Sequence, residues 1–514
     1  MKKLFKNIGI VLLITIVTAI CLSFIGVAYL FLYPKGELFG VVYVSDSSSK
    51  VYTVGEYSPD QLKEINVSTT NFDIIVDTDS TETVRAYIKT KVTGLALKKN
   101  STTEFGYFYD DNKKSLTLAL DEARGWLSAN DSYIKLVVPK NLMSNKLNLK
   151  LSTKKKTNIT IYGNGVAKLS TLDVVINRGE LYYDGLEAEN IFIKANKAKI
   201  STGGKVEGTT NYLSLDINNS SADFLNAGTG GKYIDGFPEI DKVDYKVENL
   251  VIKSATRKSN IKLFNCGFMY TAPSCKAEDG NIRIYYLGKA DIKSVDTEIE
   301  IYKLLKSERS SFNFSGEGGL YINENNSALN VTTNSGDVVI KTSNEAVLLE
   351  TKKGYLNVQK ARKPVSLITY KGSANIQFDK DAENGSYTVD REITSLRTYS
   401  GNIKIYGVEK INGLVDEGGD PSIEIHFNRV KDVNTLDVEN ANIKIVVPEN
   451  EPITLDLTCD HAMLDIDVGT ATAEGLHNGK FVRTVYASTS SNYLKITSSG
   501  NVNIISKDIY ELKK

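Results

Sequence analysis

Apolar and polar residues alternate along short segments of this chain, and the alternation returns at a fixed distance. Gly318, Gly336, Gly354 and Gly372 stand 18 residues apart, and the second and fourth residues after each glycine are apolar. Side chains of a β-strand point alternately to its two faces, so each segment predicts a strand with one buried face. The glycines predict corners, where a positive φ or a close backbone approach excludes a side chain.

Each of the first three repeats carries a second alternating segment, with apolar residues 11 and 13 positions after its glycine. A single repeat cannot bury its apolar face alone, whereas stacked repeats share a continuous core. The pattern therefore predicts an all-β fold, namely a parallel β-helix, or β-solenoid. Its register is tightly specified, because a one-residue slip would turn every apolar side chain outward. The second-strand positions are Leu329 and Val331, Val347 and Leu349, and Val365 and Leu367.

A fifth corner departs from the period. The heptapeptide that ends at Gly372 recurs in similar form at Gly401, 29 residues later. Eleven residues have therefore entered this repeat, within about 377–391. Insertions of this kind form surface loops, often on a binding face. A loop without a ligand fits the same pattern, because lengthening a loop costs little free energy.

Strand patterns continue on both sides of the regular repeats, and helical periodicity is nearly absent. Residues 311–514 predict a C-terminal β-helix with 18-residue coils, and residues 37–310 predict an N-terminal β-helical region. Within the latter, about 222–279 is the least regular segment. It is interpreted as an irregular insertion between coils, because it is too short and gapped to build a core of its own.

The N-terminal residues 1–36 predict a cytoplasmic tail and a transmembrane anchor. Ile8 to Tyr33 contains 26 residues without a charged side chain, which is enough to span a bilayer as one helix. Lysines 2, 3 and 6 precede it, so the N-terminus is expected in the cytoplasm and the bulk of the chain outside the cell membrane. A cleaved signal peptide is the alternative, although its apolar core is normally shorter and ends in an Ala-x-Ala-like site.

Charge and motif content argue against nucleic-acid binding and against enzyme activity. The chain has 62 basic and 62 acidic residues, which argues against a nucleic-acid partner, since such modules are basic. Its three histidines have no partner at metal-ligand spacing, and no nucleophile elbow, phosphate loop or dinucleotide fingerprint occurs. We therefore expect no enzyme activity and no cofactor.

The order of motifs resembles a known group of families. Ile65 to Thr78 leads the series, Tyr133-Ile-Lys-Leu-Val-Val-Pro-Lys follows, and later coils read Ser335-Gly-Asp-Val-Val-Ile and Ser400-Gly-Asn-Ile-Lys-Ile. Over about residues 60–510 this resembles the bacterial β-helical families known as putative adhesins, which have Ser-Gly-Asp/Asn repeats. The resemblance implies a surface location. It transfers no catalytic or binding residue, because the shared positions are corner glycines and core residues.

Two cysteines frame a short segment of the irregular region. Outside the cytoplasm, Cys266 and Cys275 are close enough in sequence to predict a loop closed by a disulfide. Such a bridge would stabilise the fold by about 2–3 kcal/mol. Between them, Phe268, Met269 and Tyr270 predict a contact loop if their side chains are exposed.

Clustered carboxylates make calcium a candidate ligand. Calcium takes six to eight oxygen ligands, and carboxylates on adjacent strands supply them. Solvated carboxylates at strand edges are the ordinary alternative. The residues concerned are Asp456, Asp460, Asp465 and Asp467 on strands, and Asp379, Asp381 and Glu383 before Gly385 in the inserted segment.

These observations predict a membrane-anchored, surface-displayed β-helical protein with a non-enzymatic adhesion or macromolecule-binding role. Its partners would be the lipid bilayer, through the N-terminal helix, and a surface glycan or protein. One alternative is a polysaccharide-processing β-helix enzyme, because some β-helices cleave glycans with carboxylates in a groove. The other is a structural envelope spacer with no dedicated ligand.

Overall fold

The structure is a computed structural model, and it divides into two compact units, Met1–Gly208 and Thr209–Lys514. In the described residues, β-strands make up most of the regular structure. The helical exceptions are residues 15–25 and 28–29, Lys140–Met143 and Lys507–Leu512. The described residues are 15–25, 28–29, 37–38, 41–97, 104–121, 129–130, 132–203, 208–225, 245–256, 258–294, 296–380, 388–416, 418–449, 452–459, 464–468, 471–477, 480–485 and 491–512.

Unit 1 contains two ladders of parallel strands, each of which begins with antiparallel strands. The strands are β1 (Glu37–Leu38), β2 (Val41–Glu56), β3 (Glu64–Thr69), β4 (Asp73–Asp79), β5 (Thr83–Leu97), β6 (Glu104–Asp110), β7 (Ser115–Asp121), β8 (Ala129–Asn130), β9 (Tyr133–Pro139), β10 (Leu147–Thr153) and β11 (Ile159–Gly203).

The first ladder of unit 1 places β7, β3 and β10 side by side in parallel and continues into β11. The second places β9 beside β4 in parallel, and β4 beside the start of β11. Antiparallel β6 extends the first ladder at β7, and antiparallel β5 and β2 extend the second at β9. Because β11 runs through corners, residues with positive φ interrupt it, among them Gly165, Gly179 and Gly185.

Unit 2 is built from a longer series of strands, the first of which begins at the unit boundary. They are β12 (Gly208–Asn218), β13 (Ser221–Asp223), β14 (Tyr245–Thr256), β15 (Asn260–Ser294), β16 (Asp296–Leu304), β17 (Ser310–Phe314), β18 (Leu320–Asn325), β19 (Leu329–Thr333), β20 (Val338–Ser343), β21 (Val347–Thr351), β22 (Tyr355–Ala361), β23 (Val365–Thr369), β24 (Ser373–Phe378), β25 (Glu392–Thr398), β26 (Asn402–Val408), β27 (Lys410–Ile411), β28 (Leu414–Asp416), β29 (Ser422–Phe427), β30 (Val433–Val438), β31 (Asn442–Val447), β32 (Ile453–Cys459), β33 (Leu464–Asp467), β34 (Ala471–His477), β35 (Lys480–Val485), β36 (Tyr493–Ser498) and β37 (Val502–Ser506).

The 18-residue period of the sequence is the pairing register of unit 2. Val338 lies opposite Leu320 on one side and Leu356 on the other, in parallel pairing. The second strands of the repeats form a separate parallel ladder, β17, β19, β21, β23 and β25. Ala374 pairs with Ile403, so the repeat with the inserted residues keeps its register despite its greater length. The inward residues of these strands are buried.

Close packing of the backbone explains the corner glycines. A Cβ atom on Gly336 would collide with the carbonyl oxygen of Gly318, and the same holds for Gly354 against Gly336 and Gly372 against Gly354. Gly401 meets the carbonyl of Gly372 and also has a φ of +143°, which side chains disfavour. The glycines therefore form a column in which successive corners touch through the backbone.

Two sequence predictions need correction or fall outside the described chain. Within the segment interpreted as an irregular insertion, β14 pairs in parallel with β15 through buried residues such as Leu250 and Ile252, with a register shift after Ile252, and residues 226–244 lie outside the described residues. Of the predicted membrane anchor, residues 8–14, 26–27 and 30–33 lie outside the described residues. Among the residues that are described, no helix has the length and apolar character of a membrane span.

Candidate functional site

An open groove of about 640 Å³ lies on the outer surface of unit 2. It crosses three neighbouring strands, β16, β18 and β20, together with the turns that precede β18 and β20. Its lining residues come from successive levels of the stack: Asn281, Glu298, Ile299, Glu300, Glu317, Gly319, Leu320, Tyr321, Ser335, Gly336, Asp337 and Val339.

The strand register places the floor of the groove. Glu300, Tyr321 and Val339 are direct neighbours across β16, β18 and β20. Each lies between residues that are buried, for example Tyr321 between Leu320 and Ile322, so alternation directs all three outward. The glycine-containing turns form the rim, where the missing side chains keep the groove wide.

A second cavity of about 710 Å³ continues the groove towards earlier strands of unit 2. The two share Asn281, Glu298 and Glu317. The second one adds four lining residues: Lys258, Asn260, Gly280 and Asp296. Together the two cavities form one groove that runs across the strands, and "the groove" below refers to both.

The groove carries an excess of negative charge. Among its carboxylates, only Glu300 has an ion pair with a described residue, the Arg283 guanidinium at 2.6 Å. Within the described chain, Glu298 and Glu317 have no ion pair, and Lys258 is the only basic residue in the lining. Closely spaced carboxylates raise the local concentration of cations and repel anions.

Two of the acidic side chains have structural roles in the rim. Asp296 Oδ1 accepts a hydrogen bond from the backbone N–H of Glu317 at 2.7 Å. Asp337 Oδ1 accepts one from the backbone N–H of Tyr355 at 3.0 Å. Both bonds tie one level of the stack to the next, which leaves Glu298 and Glu317 as the carboxylates available to a ligand.

Tyr321 contributes an aromatic ring to the floor. The Lys341 ammonium lies 5.4 Å from the centre of this ring. A hydrogen bond with Tyr321, and the charge of that tyrosine, raise the pKa of Lys341. The lysine makes a cation–π contact with the ring, and Tyr321 is one of the residues that line the groove.

The residues predicted to bind calcium do not form a cluster where they are described. No group of three or more acidic, histidine or cysteine side chains in the described chain is arranged to hold a metal ion. Asp379 is buried and pairs with the Arg362 guanidinium at 2.8 Å. Asp465 accepts a hydrogen bond from Asn503 at 2.6 Å. Asp381, Glu383, Gly385 and Asp460 lie outside the described residues.

The predicted contact loop between the cysteines is a strand instead. Cys266 is opposite Val247 in the pairing of β14 with β15, and its thiol is free and buried. Burial raises the pKa of Cys266 to about 12, so the thiolate nucleophile is suppressed. Met269 is buried as well. Phe268 and Tyr270 stack on each other, with their ring centroids 5.0 Å apart. The side chain of Cys275 lies outside the described residues.

A second polar cluster surrounds His426 on β29. Its Nε2 lies 2.9 Å from Glu424 Oε1, and its ring packs against Tyr406 and Tyr510 with centroid distances of 4.6 and 4.9 Å. Tyr510 belongs to the helix Lys507–Leu512, and its hydroxyl donates to Glu424 at 3.2 Å. The cluster holds this short helix against the strands, a structural role that sequence spacing did not indicate.

The groove was not predicted from the sequence because its residues come from several levels of the stack, some of which precede the regular repeats. Glu317, Ser335 and Asp337 flank the corner glycines, and Tyr321 is the outward residue between two predicted core positions. Comparing the outward-facing residues that stand at the same distance from each corner glycine could have located the groove. That set joins Tyr321 to Val339, but the neighbouring Glu300 precedes the regular period.

Comparison with known proteins gives a distant likeness. No family model matches the chain, and no curated protein matches it. A putative cell adhesion protein from Clostridium sporogenes ATCC 15579 is similar at 12% identity, over 56% of this chain and 100% of that one, with a TM-score of 0.17. A putative adhesin from Parabacteroides distasonis ATCC 8503 is similar at 14% identity, over 65% and 98% of the chains, with a TM-score of 0.23. A putative adhesin from Parabacteroides merdae ATCC 43184 is similar at 13% identity, over 64% and 95%, with a TM-score of 0.19. At these values the likeness carries no functional argument.

Proposed function

We propose that this chain is a non-enzymatic, surface-displayed binding protein of the adhesin type, which holds an extended macromolecule in the groove of unit 2. One observation carries the proposal: the groove runs across successive strands. Parallel strands are spaced by about 4.8 Å, so a chain-like ligand lying across them meets a new set of side chains at each level.

The proposal includes a parallel β-helix as the scaffold. Support comes from the two separate parallel ladders of unit 2 and from the 18-residue offset between Leu320, Val338 and Leu356. A stacked scaffold of this kind presents an extended binding surface. Anchoring to the cell membrane through Ile8 to Tyr33 remains a prediction from the sequence, and so does the surface location.

The ligand that fits the groove carries amino groups and hydroxyls. Glu298 and Glu317 offer carboxylates to amino groups, and Asn281 offers its amide to hydroxyls or amides. The Ser335 hydroxyl donates to the Gly316 carbonyl at 3.2 Å, so it offers a ligand an acceptor. An acidic polymer would be repelled. Basic protein segments and amino-sugar polymers share the required chemistry, and the experiment has one arm for each.

The test uses the full-length protein in a mild detergent and two probes, a fluorescein-labelled hexalysine peptide and a labelled glucosamine hexamer. Fluorescence anisotropy measures the affinity at several salt concentrations. We expect one probe to bind, more weakly as salt rises. In the variant Glu298→Gln/Glu317→Gln we expect the affinity to fall by about tenfold or more, the equivalent of about 1.4 kcal/mol.

The matched control is Glu308→Gln/Glu345→Gln, which removes two carboxylates of unit 2 that do not line the groove. This control should bind like the unmodified protein. Equal losses in both double variants would reduce the interaction to non-specific charge attraction and refute the groove as the site. Release of shorter products from the glucosamine hexamer would favour the enzyme alternative, and no binding to either probe would favour the spacer.

A further inference from the structure

Strand β6 lies at the edge of its ladder in unit 1. It pairs antiparallel with β7 from Glu104 opposite Asp121 to Asp110 opposite Ser115. In the part of the chain that the structure describes, β7 is the one strand whose backbone pairs with β6. An edge strand has backbone N–H and C=O groups that face away from the sheet, and these are a template for an additional strand.

One face of β6 is anchored by aromatic packing. Phe105 lies against Tyr52 of β2 and against Tyr107, with ring centroids 4.6 and 5.9 Å apart. Tyr109 packs on Tyr57 at 4.9 Å, and its hydroxyl donates to the backbone carbonyl of Gln61 at 2.6 Å. These contacts hold one face of the strand against its neighbours.

The other face of β6 is open. Phe108 is 66% exposed, although it is a large apolar side chain in the middle of a strand. Beside it is Gly106, where a Cβ atom would have no neighbour within 4 Å, and its φ is outside the left-handed region. The chain itself therefore gives no steric reason for glycine at this position.

Glycine in the interior of a strand weakens it, and it often occurs where another backbone or a ligand approaches closely. A notch at Gly106 beside the exposed Phe108 ring is the arrangement expected for such an approach. The side chain of a partner strand can fill the notch and pack against the phenyl ring at the same time.

Charge decides between a second copy of this chain and a different partner. Antiparallel pairing of β6 with itself about Tyr107 would place Glu104 opposite Asp110 at both ends. Like charges directly opposite each other destabilise a strand pair. Asp121 is opposite Glu104 in the pairing of β6 with β7, and Asp110 is bound only locally: its carboxylate accepts a hydrogen bond from the backbone N–H of Lys113 at 3.1 Å and lies 3.7 Å from the exposed ammonium of that lysine.

We propose that β6 is a docking edge for an extended segment of a partner protein, apolar in its centre and basic at both ends. Backbone hydrogen bonds along the edge would provide affinity, and Phe108, Gly106 and the acidic ends would provide specificity, as in other cases of strand addition. This surface belongs to unit 1 and does not depend on the function proposed for the groove.

The test uses a labelled probe, the heptapeptide Lys-Val-Thr-Val-Thr-Val-Lys, and a control peptide with glutamate at both ends. Anisotropy with the full-length protein should show binding of the basic peptide and affinity for the acidic peptide weaker by at least about tenfold. Hydrogen exchange should show added protection of residues 104–110 when the basic peptide is bound.

Two variants and one control locate the surface. Gly106→Thr places a strand-favouring residue in the notch, so the protein should be at least as stable thermally and yet lose binding by about tenfold or more. Phe108→Ser should lose binding similarly. Val51→Ser changes an apolar residue of β2 that is also exposed and should leave binding unchanged.

Several results would overturn the proposal. Equal binding of both peptides, or full affinity in Gly106→Thr, would show that neither the charged ends nor the notch is used. Absence of binding by the basic peptide would remove the edge as a strand-docking site. Concentration-dependent dimers in sedimentation that disappear in Phe108→Ser would assign the surface to a second copy of this chain.

Discussion

Tyr370 and Tyr399 stack ring on ring although they are 29 residues apart, with centroids separated by 4.7 Å and planes inclined by only 12°. The backbone N–H of Ser400 donates to the carbonyl of Tyr370 at 2.7 Å, so the two turns are adjacent levels. The stack shows that the longer repeat closes at the same place as the 18-residue repeats. The strands that follow the insertion therefore continue the stack in the same register.

The first prediction concerns this stack. A double-mutant cycle with Tyr370→Ala and Tyr399→Ala should give a coupling free energy of about 0.5–1.5 kcal/mol, the usual value for an aromatic pair. Hydrogen exchange of the β24 and β26 amides measures it locally. Tyr399→Phe keeps the ring and should retain most of the coupling. A coupling near zero would mean that the rings meet without stabilising the corner.

The second prediction concerns the glycine column. Gly354→Ala introduces a Cβ atom against the carbonyl of Gly336, and relieving this overlap should cost about 1–3 kcal/mol. The melting temperature measured by circular dichroism should fall by a few degrees. Gly413 is the matched control, because a Cβ there meets no atom within 4 Å. If Gly354→Ala and Gly413→Ala melt together, the column is not tightly packed.

The sequence was informative about the stack for a physical reason. Inward residues such as Leu320 and Val338 repeat at one spacing because parallel pairing joins each level to the next at the same position. The insertion was visible because Tyr370 and Tyr399 each stand two residues before a corner glycine. The periodicity of the core can therefore be predicted from the sequence.

Some of the supporting contacts were also visible in principle. Thr333 and Thr351 each stand three residues before a corner glycine, and their hydroxyls accept hydrogen bonds from Gly336 and Gly354 at 2.9 and 2.7 Å. This Thr-x-x-Gly pattern repeats with the glycines. Because threonine also favours strands for its branched side chain, the hydroxyl's hydrogen bond does not stand out in the sequence.

The candidate site was harder to foresee. Glu298 and Glu317 lie in the same groove because the turn before β18 is hydrogen-bonded to β16 of the preceding level. Outward positions follow no apolar pattern that would reveal this. The loop predicted at Cys266 was wrong because the cysteine spacing was given more weight than the apolar pattern around it. The spacing to Cys275 suggested a loop, whereas the apolar residues around Cys266 place it in a buried strand.

The third prediction concerns the base of the insertion. Arg362 Nε donates to Asp379 Oδ2 at 2.8 Å and its Nη1 donates to Asn344 at 2.9 Å, while the Asp379 side chain is only 1% exposed. Arg362→Met should destabilise unit 2 by about 3 kcal/mol, because a buried carboxylate loses its cation. The melting temperature provides the measurement.

The control for this pair is the double variant Arg362→Met/Asp379→Asn. Since the asparagine is uncharged, the double variant should be more stable than Arg362→Met alone. The reverse order would indicate that Asp379 stabilises the insertion through other contacts and that the ion pair is of minor weight.

The last prediction is a pH dependence centred on Glu409. Partial burial raises the pKa of this carboxyl. Hydrogen bonds from Lys431 and Asn428, the charge of Lys431 and a hydrogen bond from Arg391 at 3.2 Å lower it. Their combined effect outweighs that of burial, so the pKa of Glu409 is lowered from 4.5. A lowered pKa in the folded state means that Glu409 stabilises the fold above the unfolded pKa. This contribution should disappear as the pH falls from about 4.5 through the folded pKa.

Melting temperatures between pH 7 and pH 3 should therefore converge for the unmodified protein and Glu409→Gln as the solution is acidified. The exposed Glu308→Gln should follow the unmodified protein at every pH, and parallel curves for Glu409→Gln would show that its cluster of cations does not hold the carboxylate in its charged form.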